Sequence, residues 1–251
     1  MPFSASYPAL KHLLSPSTTI LDFGCGGGQF LQEIGGDVGQ AVGVDLDEEL
    51  IANATRTNRF ANVRYLQADA RRGLPFPDRS FDLIVALGVL EHVGQEQPFI
   101  REFFRLLRDD GRLVIDVPST GPFRFLDIGN IKYNFPNAHR WFYLYVARQK
   151  EYYLEKFGPD AKMFGQFSRE ASGHKHYSVA EVKRICSPCF VLERHEHYGL
   201  FFELIQVCEI LASKPFKRNG HPFFGWLLRQ DCRLRSPFGR ANIVTVFKKQ
   251  P

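Results

Sequence analysis

Over residues 18–118, short β-branched or apolar runs alternate with stretches of helical periodicity. Residues 18–22, 41–45, 63–66, 81–86 and 111–117 read as strands, and residues 47–57 and 95–108 as helices. Strands alternating with helices of this length predict parallel βαβ units, whose right-handed crossovers cover both faces of one sheet. The first half of the chain is therefore expected to be doubly wound.

After Pro118 the rhythm breaks. Residues 121–167 hold 13 aromatic residues, about twice the 14% rate of the whole chain, and predict an insertion with a helix near 138–157. Ser178 followed by Glu181 has the spacing of a capping box and predicts a helix running to about Ile185. Residues 190–195 and 242–247 read as two more strands, with no internal repeat or low-complexity tract anywhere. Between those strands, Leu200 to Ala212 is broadly apolar, with polar residues at Glu203, Gln206 and Glu209. That spacing predicts a helix whose narrow wet stripe is Glu203, Gln206 and Glu209 and whose remaining surface is packed.

Length and composition narrow the class. At 251 residues with 44% apolar and 24% charged residues, the chain is expected to form one globular domain carrying large insertions. No run reaches the roughly 18 to 20 apolar residues needed to span a bilayer, and the first residues lack a basic segment followed by an apolar one. Five cysteines without framework spacing suit a reducing compartment, so a cytoplasmic location is expected. The net charge of +5 is concentrated: residues 199–251 carry nine bases (Lys214, Lys217, Arg218, Arg229, Arg233, Arg235, Arg240, Lys248, Lys249) against Glu203, Glu209 and Asp231. Such a quarter fits either a solvated surface or contact with an anionic partner.

The first candidate chemistry is a glycine turn. Gly24, Gly26 and Gly28 stand directly after a predicted strand and before a predicted helix, where the chain can pass close beneath a ligand and offer free N–H groups. A nucleotide-like cofactor fits such a turn. The dinucleotide fingerprint asks for a third glycine where Gln29 stands, which weakens a nicotinamide oxidoreductase reading. Asp45, ending the second strand, is placed to accept hydrogen bonds from ribose hydroxyls. Leu87 and Gly88 follow the fourth strand, at the carboxyl edge where open α/β sheets bind ligands.

Taken in order, residues 21–28, 43–45, 67–70, 74–93 and 107–115 resemble the class I S-adenosylmethionine-dependent methyltransferases, a likeness covering residues 18–118. The resemblance implies a doubly wound, seven-stranded, mostly parallel α/β sheet with an antiparallel last strand, here with aromatic-rich helical insertions. It divides a single domain into a core (18–118, 178–198 and 240–249) and two insertions (119–177 and 199–239) expected to form a substrate cap. It implies S-adenosyl-L-methionine as cofactor, with the glycine turn under the methionine part, Asp45 at the ribose and Asp69 facing the adenine amino group; Leu46, Ala70 and Asp22 are also expected at the cofactor site, although Asp22 can equally serve to order the turn.

Methyl transfer from a sulfonium is an in-line displacement in which alignment is worth roughly 7 to 11 kcal/mol, and a base adds when the acceptor is a hydroxyl. Histidine is the natural base near neutral pH. His176 is favoured, with His174 beside it, because both precede the capped helix in a connection that borders the acceptor pocket in this family; His92 competes. His139, His195 and His197 read as structural. No metal is expected: Gly88 stands where some quinone O-methyltransferases that resemble the chain carry a metal-holding acid, and Cys186 with Cys189 lacks a second pair. The base-methylating branches of the family carry an acid or amide, two prolines and an aromatic after the fourth strand, where this chain has residues 86–91, so DNA is not expected as a partner. A small or lipid-linked, partly apolar acceptor methylated at oxygen is expected, with RNA methylation and a non-catalytic S-adenosylmethionine-binding subunit as alternatives. The segment from Leu200 to Leu228, helped by the bases that follow, is further expected to touch an anionic membrane peripherally, at its inner face.

Overall fold

The structure, a computed structural model, describes residues 10–121, 125, 127, 130, 134–157, 175–213, 222–233 and 241–250. Seven strands form one sheet: β1 Thr19–Phe23, β2 Gln40–Asp45, β3 Val63–Gln67, β4 Phe81–Leu87, β5 Leu107–Pro118, β6 Phe190–Tyr198 and β7 Asn242–Lys249. Their spatial order is β3-β2-β1-β4-β5-β7-β6. The pairs among β1 to β5 are parallel, and β7 runs antiparallel to both β5 and β6. The expected doubly wound, seven-stranded sheet with its antiparallel strand is thus present. Strand order reverses between β1 and β4, which opens a crevice at their carboxyl ends.

Successive side chains of each central strand feed opposite faces, giving two apolar layers. Leu21, Phe23, Ile84, Ile115 and Phe247 pack with Phe99 and Phe103 of α3 (Gln97–Leu106) and Val182 of α6 (Val179–Cys186). Ile20, Val85, Val114 and Val244 face the other way, onto Phe30, Leu31 and Ile34 of α1 (Gln29–Ile34). The same layer takes Phe202 of α7 (Phe202–Ser213) and Leu228 of α8 (Pro222–Asp231). Helix α2 (Glu48–Thr57) is capped by Asp47, whose carboxylate accepts from the Leu50 amide at 3.0 Å. At α6 the expected capping box is complete: Ser178 Oγ accepts from Glu181 N, and Glu181 accepts from Ser178 N.

Three expectations are corrected. The helix near 138–157 is divided: α4 (Pro136–Trp141) continues into a π-helical turn, Phe142–Val146, and α5 (Lys150–Phe157) starts afresh after Arg148, whose φ of 52° no helix accommodates. The helix expected to reach 108 ends at Leu106 because Leu107 already pairs with Phe81. On α7 the stripe of Glu203, Gln206 and Glu209 is not the wet face. Glu203 is only 5% exposed, whereas Leu204, Cys208 and Leu211 face outward. Burial raises the Glu203 carboxyl to about 7, helped by the charges of Asp127 and Asp231, and protonation makes that position tolerable. Among the described residues, no helix is long and apolar enough to cross a membrane.

Candidate active site

The carboxyl ends of β1, β2 and β4 bring the glycine turn, Asp45 and Gly88 together at the crevice. Gly24 and Cys25 donate to the Val44 carbonyl at 2.8 and 3.0 Å, pinning the turn to β2. The three glycines then separate by what a side chain would meet. A Cβ on Gly24 would lie 2.4 Å from Val89, and one on Gly28 2.6 Å from the Tyr65 hydroxyl. At Gly26 it would meet nothing within 4 Å. The first and third glycines are therefore demanded by the protein's own packing, and Gly26 alone borders open space. It also has φ of 51°, a region open to glycine at little cost.

Asp45 closes this cradle from β2. One carboxylate oxygen accepts from Gly26 N at 2.8 Å and the other from Asp47 N at 3.0 Å, so the acid is held rigidly at the rim. Leu46, 36% exposed, follows it on the surface. Beneath the turn lies Asp22, 3% exposed, with no hydrogen-bond partner for Oδ2 among the described residues. Burial, then the charge of Asp45, pushes its carboxyl up to about 8. A buried acid of this kind fits a cofactor that brings positive charge, as S-adenosylmethionine does with its ammonium and sulfonium groups.

Asp69 caps the short turn Ala70–Arg72, and Arg71 binds its carboxylate through Nε and a terminal nitrogen, each at 2.8 Å. The Arg71 hydrogen bonds hold the Asp69 carboxyl below the usual range. Asp69 is thus anionic beside Ala70, as an adenine-amino acceptor would be, but shares its oxygens with an exposed arginine. Leu87 is buried, and Gly88 (φ 69°) donates to the Asp116 carbonyl at 2.9 Å.

A second group of residues lies beyond Gly88. Glu91, 2% exposed, comes within 3.5 Å of where a Gly88 Cβ would stand, and neither of its carboxyl oxygens has a hydrogen-bond partner among the described residues. Burial foremost, with the charges of Asp116 and Asp127, raises its carboxyl to about 8. The Asp116 carboxylate accepts from the Tyr198 hydroxyl at 2.6 Å. His176 Nε2 lies 3.3 Å from Asp127 Oδ2, both side chains being nearly buried. The neighbouring Tyr177 fixes the position of His176. Its amide donates to the Pro118 carbonyl at 2.8 Å, its hydroxyl donates to the Leu90 carbonyl at 2.9 Å, and Glu96 binds both that hydroxyl and Lys175. His176 lines an open surface pocket of about 480 Å³ together with Phe125, Asn130, Asn134 and Phe135.

Of the expected bases, then, His176 borders this pocket, His92 is half-buried in the turn Leu90–His92, and His174 lies outside the described residues. His139 packs on the rings of Tyr143 and Tyr153, and His195 and His197 sit on the edge strand β6. Among the described residues, no group of three His, Cys, Asp or Glu side chains is arranged to hold a metal ion. Sequence reasoning missed Asp127, Glu91 as a buried acid, and Tyr65. Only the alternation along β3 hinted at Tyr65, and no local pattern marks Asp127.

Residues 21–115 match a methyltransferase domain family. A protein of Mycobacterium tuberculosis named a probable S-adenosylmethionine-dependent methyltransferase is 35% identical over 109 residues, 42% of this chain and 39% of that protein. The ubiquinone/menaquinone biosynthesis C-methyltransferase UbiE of Vibrio parahaemolyticus is 36% identical over 107 residues, 40% and 41% of the two chains. The chain therefore spans about two fifths of the length of these relatives. Among solved structures, YcgJ of Bacillus subtilis superposes with a TM-score of 0.57 at 17% identity, covering 99% of each chain, a likeness of fold. The matched family, the sheet order and the glycine cradle agree: over residues 21–115 the chain is similar to the S-adenosylmethionine-dependent methyltransferases, on the doubly wound sheet of their class I.

Proposed function

We propose that this protein transfers the methyl group of S-adenosylmethionine to an oxygen of a small or lipid-linked, partly apolar acceptor. The observation that carries the reading is the His176–Asp127 pair at the wall of the 480 Å³ pocket, linked to the cofactor edge through Glu91 and Gly88. Pockets of this size with aromatic walls and a few polar groups suit small ligands. Phe125 and Phe135 offer apolar contact, and Asn130 and Asn134 offer hydrogen bonds.

When bound, S-adenosylmethionine supplies an activated methyl group whose departing sulfur keeps the bonding pair as a thioether. The residues of the chain do the rest. The glycine turn, Asp45 and Asp69 fix the donor, and Asp22 neutralises positive charge beneath it. His176, with the Asp127 carboxylate 3.3 Å from its Nε2 to balance the charge it gains, takes the hydroxyl proton as the new O–C bond forms. Placement carries most of the rate and the base adds about 10² to 10⁴.

A second reading, methylation at carbon, is favoured by the similarity to UbiE. A phenolic acceptor joins the two, since loss of its hydroxyl proton puts charge on both the oxygen and the adjacent ring carbons. A lipid and metabolite extract incubated with radiolabelled S-adenosylmethionine, partitioned between water and organic solvent, tests the proposal. Label in the organic phase, reduced roughly tenfold or more in His176→Ala with cofactor affinity unchanged, is expected. Label confined to water, or equal rates for variant and parent, refutes it. Cofactor binding without transfer into either phase would make the protein a binding subunit. Mass spectra of the product separate methoxy from ring-methyl groups.

A further inference from the structure

Helices α7 and α8 form an antiparallel hairpin on the sheet face that carries Val114 and Val244. Its geometry is fixed where α8 ends and α7 begins: both Asp231 carboxylate oxygens accept from Phe201 N, at 3.0 and 3.1 Å. Phe202, Ile205, Leu228 and Cys232 point inward to one apolar layer, so the opposite sides of both helices form one outer face. That face is apolar where a solvated helix would be polar. Leu204, Cys208 and Leu211 succeed one another at helical spacing and are exposed, Leu211 by 54%. Phe223 and Trp226, exposed by 54% and 49%, stack with ring centroids 6.3 Å apart. Further along the same side of α8 come Arg229 and Arg233, both exposed.

Among the described residues, the exposed charge at this face is mainly basic. Two of the three acids in this quarter of the chain, Glu203 and Asp231, are turned inside, 5% and 4% exposed, leaving Glu209. Lys248 and Lys249 belong elsewhere, since Lys248 pairs with Asp110 and Lys249 donates to the Leu107 carbonyl from a buried position. Lys214, Lys217 and Arg218 follow α7 in the sequence, and Arg235 and Arg240 follow α8. An aromatic and leucine face bordered by Arg229 and Arg233, with five more bases in the adjoining sequence, matches an anionic phospholipid surface: the apolar side chains enter the acyl boundary while the bases meet headgroup phosphates. A second copy of the chain would press like charges together, which argues against self-association at this face.

We infer that the α7–α8 hairpin docks the protein on an anionic bilayer surface, an inference independent of the acceptor assigned above. The test uses the full chain with Trp141→Phe, which leaves Trp226 as the single tryptophan. Vesicles of equal parts phosphatidylcholine and phosphatidylglycerol are expected to float the protein and shift Trp226 emission to the blue. Raised salt should release it, and pure phosphatidylcholine should bind it weakly. Arg229→Glu with Arg233→Glu, which changes exposed side chains alone, should weaken partitioning by roughly tenfold or more. Absence of flotation at low salt overturns the inference. So does binding that is equal on both vesicle types, or a blue-shifted Trp226 in a protein that light scattering shows to be dimeric without vesicles.

Discussion

Replacing Asp22 with asparagine should stabilise the ligand-free protein at neutral pH while weakening its hold on S-adenosylmethionine. Asp22 is 3% exposed, Oδ2 has no hydrogen-bond partner among the described residues, and burial with the nearby Asp45 charge moves its carboxyl from 3.8 to about 8. The unfolded chain releases this proton near 3.8 and the folded one near 8, so the folded state binds more protons throughout that window. Stability from this group therefore falls as pH rises between those values, by about 1.4 kcal/mol per unit. Asparagine has the same shape and no such dependence. Between about pH 5 and pH 7 the variant should gain on the parent by about 2.7 kcal/mol, or about 5 to 10 °C in melting temperature for a chain of this size. The buried Glu91, also raised, is common to both proteins and cancels. Thermal unfolding at several pH values, without cofactor, measures the difference, and calorimetry with S-adenosylmethionine measures the lost affinity. A melting-temperature difference that stays flat from pH 5 to pH 7 would refute the reasoning, because it would mean that Asp22 is ionised and satisfied in the folded protein.

Asp45→Ala should weaken S-adenosylmethionine binding by on the order of 1 to 3 kcal/mol, read by calorimetry, since it removes the acid at the rim and the anchor of Gly26 N. Gly28→Ala should lower stability by about 1 to 3 kcal/mol in thermal unfolding, because φ is 81° and the new Cβ meets the Tyr65 hydroxyl; adding Tyr65→Ala should restore part of the loss. Gly26→Ala should show the opposite balance: its Cβ meets nothing in the protein, so cofactor affinity falls with only the backbone cost, about 1 to 2 kcal/mol, in stability. Asp127→Asn should reduce label transfer, by less than His176→Ala does, because it removes the carboxylate charge 3.3 Å from Nε2 but leaves the imidazole in place.

The glycine cradle of the candidate site was legible because its residues are local: strand, glycine turn and strand-end acid follow one another closely in the chain. The surroundings of His176, the candidate acceptor side, are assembled by tertiary contacts. Asp127 meets His176 across 49 residues, and nothing around it in the sequence marks it as a partner. Helix periodicity misjudged α7 because it assumes that acids face water, whereas Glu203 is buried near protonation. The start of β5 was hidden for the opposite reason: Arg108, Asp109 and Asp110 are exposed strand residues with no apolar alternation to betray them. The break at Arg148 has no glycine or proline to announce it.

Strand β7 also governs the order in which the molecule can be completed. It lies between β5 and β6, pairing Leu113 with Phe247 on one side and Leu192 with Phe247 on the other, yet it follows both neighbours in the sequence. A nascent chain on the ribosome must therefore hold two open strand edges until residues 242–249 emerge and fill the gap. Contacts spanning more than 120 residues close last and slowly. Until then, the bare edges of β5 and β6 are templates for pairing with other chains. A stop codon just ahead of residue 242 would leave the glycine cradle intact in sequence and produce an aggregating polypeptide.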